Sequence, residues 1–203
     1  MFSVAHFWIC KQALYELEDE NIIFERNDYI LDGAMAPDYD ERALGGHFAV
    51  YRPKSNKFTN WKEKRPANAF DSFVNHYIKA IETKDLHELG RAIHYLTDML
   101  TIPHATGISD ARLRHMIFIR PHRRYEKYTL KNIGKYYEKK EYDVNFDDDF
   151  FNIMLNAYQT TKKYKWALIF WSKKKYDRAN YEMIPMMVYY VKGFLRRYYN
   201  SVK

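Results

Sequence analysis

The sequence predicts an all-α protein folded as a single compact multi-helix domain spanning residues 1–203. Three observations carry that prediction. Only 7 Gly and 6 Pro occur in 203 residues, so few positions interrupt a helix. Apolar residues recur at three- and four-residue spacing over long stretches, the period of a helix with one buried face. Hydrophobic residues make up 47% of the chain and aromatics 18%, enough to fill one core at this length and too much for a disordered chain. Cys10 stands alone, which excludes a disulfide framework and reads as a small buried apolar residue.

The first helix should run from about Val4 to Leu17, where Phe7, Ala13, Leu14 and Leu17 share a face before Glu18-Asp-Glu-Asn ends the pattern. Asp32 to Asn60, with Gly33, Pro37, Gly45, Gly46, Pro53 and Asn56, reads as a long ordered loop. Loops of that length inside a compact domain are usually functional or disordered. Helical pattern resumes from Ala67 to Glu82 and from Leu86 to about Thr101, where Pro103 stops it. A second loop is expected from Ala105 to Pro121, followed by helices at roughly His122–Lys139, Asp147–Lys163 and Asn180–Tyr199, with Tyr164–Ser172 as a further helical segment.

Charge and leader signals bound the setting. Against 26 Asp and Glu stand 33 Lys and Arg, a net charge of +7, which favours anionic partners such as phosphates, nucleic acid or an acidic membrane surface. The clusters Lys162-Lys163, Lys173-Lys174-Lys175 and Arg196-Arg197 read as solvated helix faces and ends. The most apolar run, Met183 to Leu195, is broken by Pro185 and Lys192 and does not span a bilayer. Met1-Phe-Ser-Val-Ala-His lacks the basic and apolar regions of a secretory leader. The expected location is cytoplasmic for the chain as it stands, or secreted if a leader was removed before Met1.

The chemistry lies in the 8 histidines. Residues i and i+4 on a helix are about 40° apart around the axis, so His94 and Asp98 of His94-Tyr-Leu-Thr-Asp98 project side by side and can hold one ion. His104 of Pro103-His104-Ala105 follows just past the helix end, and His122-Arg-Arg-Tyr-Glu126 repeats the histidine–carboxylate spacing. Alone, each such pair is more often a hydrogen-bonded core histidine. Two pairs with a histidine between them point to metal, and a mixed nitrogen and oxygen set suits Zn²⁺. The long loop adds Asp38 and His47, and the first helix adds His6. His76, His87 and His115 fall outside this spacing and read as structural or surface residues.

In order along residues 6 to 126, these motifs resemble the zinc-dependent phospholipase C family, which includes bacterial phosphatidylcholine-preferring enzymes and the catalytic domain of alpha-toxin. His94, Asp98 and His104 fit its central signature, His122 and Glu126 its later pair, Asp38 and His47 its Gly-Ala-x-Ala-Pro-Asp and His-Phe elements, and His6 with Trp8 its early element. The resemblance implies two or three Zn²⁺ per chain: one held by Asp38, His47, His94 and Asp98, a second by His104, His122 and Glu126, and a third by His6 with a bridging Asp98. An N-terminal tryptophan completes the third site in better-known members. No tryptophan precedes His6 here, so that site uses the Met1 terminus, goes without this ligand or stays empty.

The resemblance also implies a phospholipase C that cleaves the glycerol–phosphate bond of phospholipids at a transiently visited membrane surface. Asp38 is the expected carboxylate for the attacking water, with Glu126 second. Tyr39 matches an aromatic position of the family's headgroup pocket, whereas Leu44 stands where another aromatic would, which weakens cation–π recognition of choline. The alternative is a zinc-dependent single-strand nuclease on the same kind of fold, a reading that the basic charge and 19 tyrosines suit. A purely structural role for the metals fits poorly, because structural zinc sites are usually rich in cysteine.

Overall fold

In a computed structural model, the structure describes residues 3–40, 47, 50–52, 57–60, 65–66, 68–107, 121–169 and 172–203. Ten α-helices and three short strands are formed by these residues. Helix α1 (Ser3–Glu18) matches its expected span and packs against α2 (Asn27–Met35) and the C-terminal α10 (Lys173–Val202). Its inner face carries Ala5, Ile9, Cys10, Ala13, Leu14 and Leu17. Burial pushes the Cys10 thiol up to about 12, so it is an inert core residue.

The segment expected to be one long loop begins inside a helix. Gly33 lies in α2, not in a turn, and Pro37 opens a further short helix, α3 (Pro37–Asp40). Proline suits the first turn because its missing N–H has no helical partner there anyway. The later part forms a small antiparallel sheet, β1 (Val50–Arg52), β2 (Lys57–Asn60) and β3 (Arg65–Pro66), in that order. Val50 pairs with Thr59, Arg52 with Lys57 and Asn60 with Arg65.

Helices α4 (Asn68–Thr83) and α5 (Leu86–Met99) follow as expected and pack along one another. Lys84 turns the chain between them in the left-handed region at φ 56°. Asp85 caps α5 by accepting from the His87 N–H at 2.8 Å. Helix α6 (Ile102–Thr106) is closed by Gly107 at φ 63°, a conformation glycine adopts without strain. Of the second expected loop, residues 108–120 lie outside the described residues. Next come α7 (Pro121–Asn132) with a 3₁₀ turn (Ile133–Tyr136), α8 (Phe150–Lys162) and α9 (Lys165–Ile169).

Helix α10 is 30 residues long and starts before the expected Asn180, so Lys173-Lys174-Lys175 is its exposed first turn. Pro185 lies inside it. A proline there leaves the carbonyl four residues earlier without its helical donor, and the Lys140 ammonium donates to that carbonyl, on Tyr181, at 3.2 Å. The core around α10 is aromatic: Phe73, Tyr77, Phe150 and Phe194 meet edge-on or tilted at 5.0–5.8 Å between ring centres. No helix among the described residues is long and apolar enough to cross a membrane.

Candidate metal centre

Helix α5 is the axis of the site, and its placement depends on two glycines. Where α2 crosses it, a Cβ on Gly90 would lie 2.2 Å from the Ile30 carbonyl oxygen, and one on Gly33 2.2 Å from that of His87. The two backbones therefore approach more closely than any larger residue permits. The crossing sets the Ala34 carbonyl oxygen 2.9 Å from His94 Nδ1. A carbonyl only accepts, so Nδ1 carries the proton and Nε2 keeps a bare lone pair. That nitrogen faces His47 Nδ1 at 3.1 Å, Asp98 Oδ2 at 3.3 Å and Asp38 Oδ1 at 3.9 Å.

Asp98, fully buried one turn after His94, is the hub. Its Oδ2 accepts from His47 Nδ1 at 2.6 Å, and its Oδ1 lies 3.4 Å from His6 Nε2 and 3.0 Å from His104 Nδ1. On the far side His104 Nε2 faces His122 Nε2 at 3.1 Å and Glu126 Oε1 at 3.8 Å, and His122 Nε2 sits 2.5 Å from Glu126 Oε1. Three groups emerge, His6–His94–Asp98, Asp38–His47–His94 and His104–His122–Glu126, and within each the ligand atoms all lie within 4.8 Å of one another.

This donor set fits a divalent cation. Two ligands each about 2.0–2.1 Å from a tetrahedral ion stand about 3.4 Å apart, and the contacts of 3.0 to 3.4 Å around Asp98 and His94 approach that edge. His6 Nε2, fully buried, finds no hydrogen-bond partner, a costly state for a polar atom unless something else engages it. The electrostatics agree with the geometry. Burial holds the His6 pKa well below its ordinary value and brings that of His104 down to about 4, so both rings are neutral and able to ligate. Burial opposes charge on Asp98, yet the surrounding histidines hold it well below the usual carboxylate range. Burial also opposes charge on Glu126, yet positive charge and its bond to His122 together outweigh that and lower it. Asp38 goes the other way: burial, then the nearby Asp98 charge, raises it. For His47 burial acts downward, but the charge and hydrogen bond of Asp98 win and raise it.

Of the residues singled out in the sequence, His6, Asp38, His47, His94, Asp98, His104, His122 and Glu126 come together here. Met1, Leu44 and His115 lie outside the described residues. Tyr39 is exposed at the end of α3, its hydroxyl 2.9 Å from Ser3 Oγ. His76 is structural, as expected: its Nδ1 bonds Glu88 at 2.6 Å, and its ring stacks 5.6 Å from that of Tyr95, which in turn lies 5.5 Å from His47. His87 lies 3.3 Å from the exposed Asp32. It lines a cavity of about 410 Å³ with Asp28, Tyr29, Asp32 and Asp85, away from the ligand cluster. Two supports of the centre were not anticipated: the Ala34 carbonyl, a backbone group with no mark in the sequence, and Thr97, whose Oγ1 lies 2.5 Å from His6 Nδ1.

Known proteins share this fold. By fold, the chain is similar to the alpha toxin of Clostridium absonum (TM-score 0.77, 20% identity, covering 98% of this chain and 64% of that one). It is similar also to the alpha-toxin of Clostridium perfringens from avian strain SWCP (TM-score 0.75, 18% identity, 98% and 63%). The chain thus spans a little under two thirds of the length of either toxin, and at these identities the likeness is one of fold. Comparison with the curated proteins gives no match. The family model described as zinc dependent phospholipase C matches residues 5–170, a span that takes in all eight clustered ligands, and the chain belongs to that family.

Proposed function

We propose that the protein is a metal-dependent phosphodiester hydrolase, a phospholipase C that cleaves the glycerol–phosphate bond of phospholipids. The observation that carries this reading is the fully buried Asp98 carboxylate, shared by histidines of neighbouring ligand groups. Ions held close together on one bridging residue suit a phosphodiester, whose oxygens can span them.

Asp38, His47, His94 and Asp98 would hold one Zn²⁺, His104, His122 and Glu126 a second, and His6 with Asp98 a third. Bound zinc supplies charge neutralisation at phosphorus and a bound water whose pKa falls toward about 7. The chain's own residues do the rest. His94 is held in its ligating tautomer by Ala34. Asp38, half-buried at the rim with 26% of its side chain exposed, takes the proton of the attacking water. Its partial exposure lets it reach a water at the open side of the centre, which the more deeply buried Glu126 does less readily. Glu126 is bound to His122 at 2.5 Å and lowered in pKa, which suits a ligand and not a base.

The test is turnover of phosphatidylcholine micelles by protein whose zinc has been counted by elemental analysis. Asp38→Asn should retain its zinc and lose about 10²-fold or more in kcat. Near wild-type turnover with all zinc bound would remove Asp38 from this role. Cleavage of single-stranded DNA with none of phospholipid would replace the phospholipase with a nuclease.

A further inference from the structure

We propose that Thr97 is a positioning residue that locks His6 in the tautomer presenting Nε2 to a divalent cation beside Asp98. The inference rests on the metal-centre reading above, though not on the identity of the substrate.

The argument starts from the single proton of a threonine hydroxyl. Thr97 Oγ1 lies 3.0 Å from the carbonyl oxygen of Ile93 and 2.9 Å from that of His94, four and three residues earlier in α5. Threonine in a helix uses this back-bond, and both carbonyls can only accept. The hydroxyl proton is thereby committed to the helix, and its lone pairs face outward. His6 Nδ1, on α1, meets them at 2.5 Å, so Nδ1 must be the donor and carry the ring proton.

Nε2 is then a lone pair, 3.4 Å from Asp98 Oδ1. The opposite tautomer is disfavoured at Nδ1. It would set the bare Nδ1 against an oxygen whose proton is already used. Both groups are fully buried, so water does not relieve this defect. Asp98 Oδ1 alone would favour a proton on Nε2, and a cation between the two atoms replaces that proton.

The device repeats the one at His94, where the Ala34 carbonyl fixes the neighbouring ring in the same sense. The two rings lie 4.0 Å apart, tilted by 32°, and α5 supplies the partner for one and the backbone of the other. A helix of which one turn carries His94, Thr97 and Asp98 thus gives one ligand its position, a second ligand its tautomer and a third the bridging carboxylate.

Long-range ¹H–¹⁵N NMR of the intact chain reads the tautomer of His6 directly, before and after zinc loading. A proton on Nδ1 with Nε2 bare or metal-shifted is the expected result, and an Nε2–H would overturn the proposal without any variant. The second measurement is zinc affinity by chelator competition in Thr97→Val, which keeps the shape and removes the hydroxyl. One ion per chain should bind about 10–100-fold more weakly, the others should be unchanged, and Thr97→Ser should restore wild-type affinity. A Thr97→Val protein that holds every ion as tightly as wild type would also sink the proposal. Phospholipid turnover plays no part in either measurement, so a different substrate would overturn the proposed activity and leave this inference standing.

Discussion

Gly90→Ala is the substitution that most directly asks whether the metal centre is built by the α2–α5 crossing. The added Cβ would lie 2.2 Å from the Ile30 carbonyl oxygen, 2.8 Å from the Ala34 amide nitrogen and 2.8 Å from Gly33 Cα. All three are backbone atoms, so no side chain can swing aside. Ordinary contact begins at 3.4 Å, and α2 must therefore retreat by roughly 1 Å. In helix propensity alone alanine is better than glycine by about 1 kcal/mol. Overpacking against rigid backbone costs about 1–3 kcal/mol, and withdrawal of the Ala34 carbonyl removes a hydrogen bond worth about 1 kcal/mol to His94. The net expectation is a loss of about 2 kcal/mol in urea unfolding, together with weaker zinc binding because the His94 ring loses its anchor. A Gly90→Ala protein more stable than wild type, with zinc affinity unchanged, would show that propensity governs this position and that the crossing does not set the site.

Removing metal from the native protein should lower its stability, because ions bound only to the folded chain stabilise it by about 2.7 kcal/mol per site at a hundredfold excess over Kd. A Tm that a strong chelator does not move would contradict the centre described here. Glu88 tests a different part of α5. Burial opposes its charge, but the bonds from Lys79 at 2.7 Å and His76 at 2.6 Å outweigh that and lower its pKa. A lowered folded-state value stabilises the protein above the ordinary glutamate range and is lost as pH falls through the lowered value. Glu88→Gln should therefore cost about 1–2 kcal/mol at pH 7, with the gap to wild type closing below about pH 4. A gap that stays constant from pH 7 to pH 3 would refute the assignment.

The parts legible in the sequence are those written in local spacing. Helices α4, α5 and α8 announce themselves by apolar period. His94 with Asp98 and His122 with Glu126 stand one helical turn apart and are visible before any fold is known. Helix α2 was hidden because Asp32-Gly33 carries turn chemistry locally, and only the crossing against Gly90 makes a helical glycine there worthwhile. The strands, of two to four residues, are too short for an alternating pattern to register. The supports of the histidines were hidden for a different reason. Ala34 acts through its carbonyl and Thr97 through a helix back-bond, and neither leaves a signature in side-chain type.

Charge explains why these residues make sense only together. Asp38, Asp98 and Glu126 bring three carboxylates into one cluster, while burial keeps His6 and His104 neutral. Protons on those rings therefore do not balance the negative charge, and such a cluster by itself repels an anionic phosphodiester. His47 is the exception, its pKa raised by Asp98, and it must give up its Nδ1 proton for that atom to ligate. Two divalent cations against three carboxylates leave a net charge of about +1, and three leave about +3. On the proposed reading, either would attract the phosphate of a lipid to a centre where Asp38 stands at the rim. Bound ions would thus convert a repulsive cluster into a receptive one, so loss of zinc should abolish substrate binding as well as turnover.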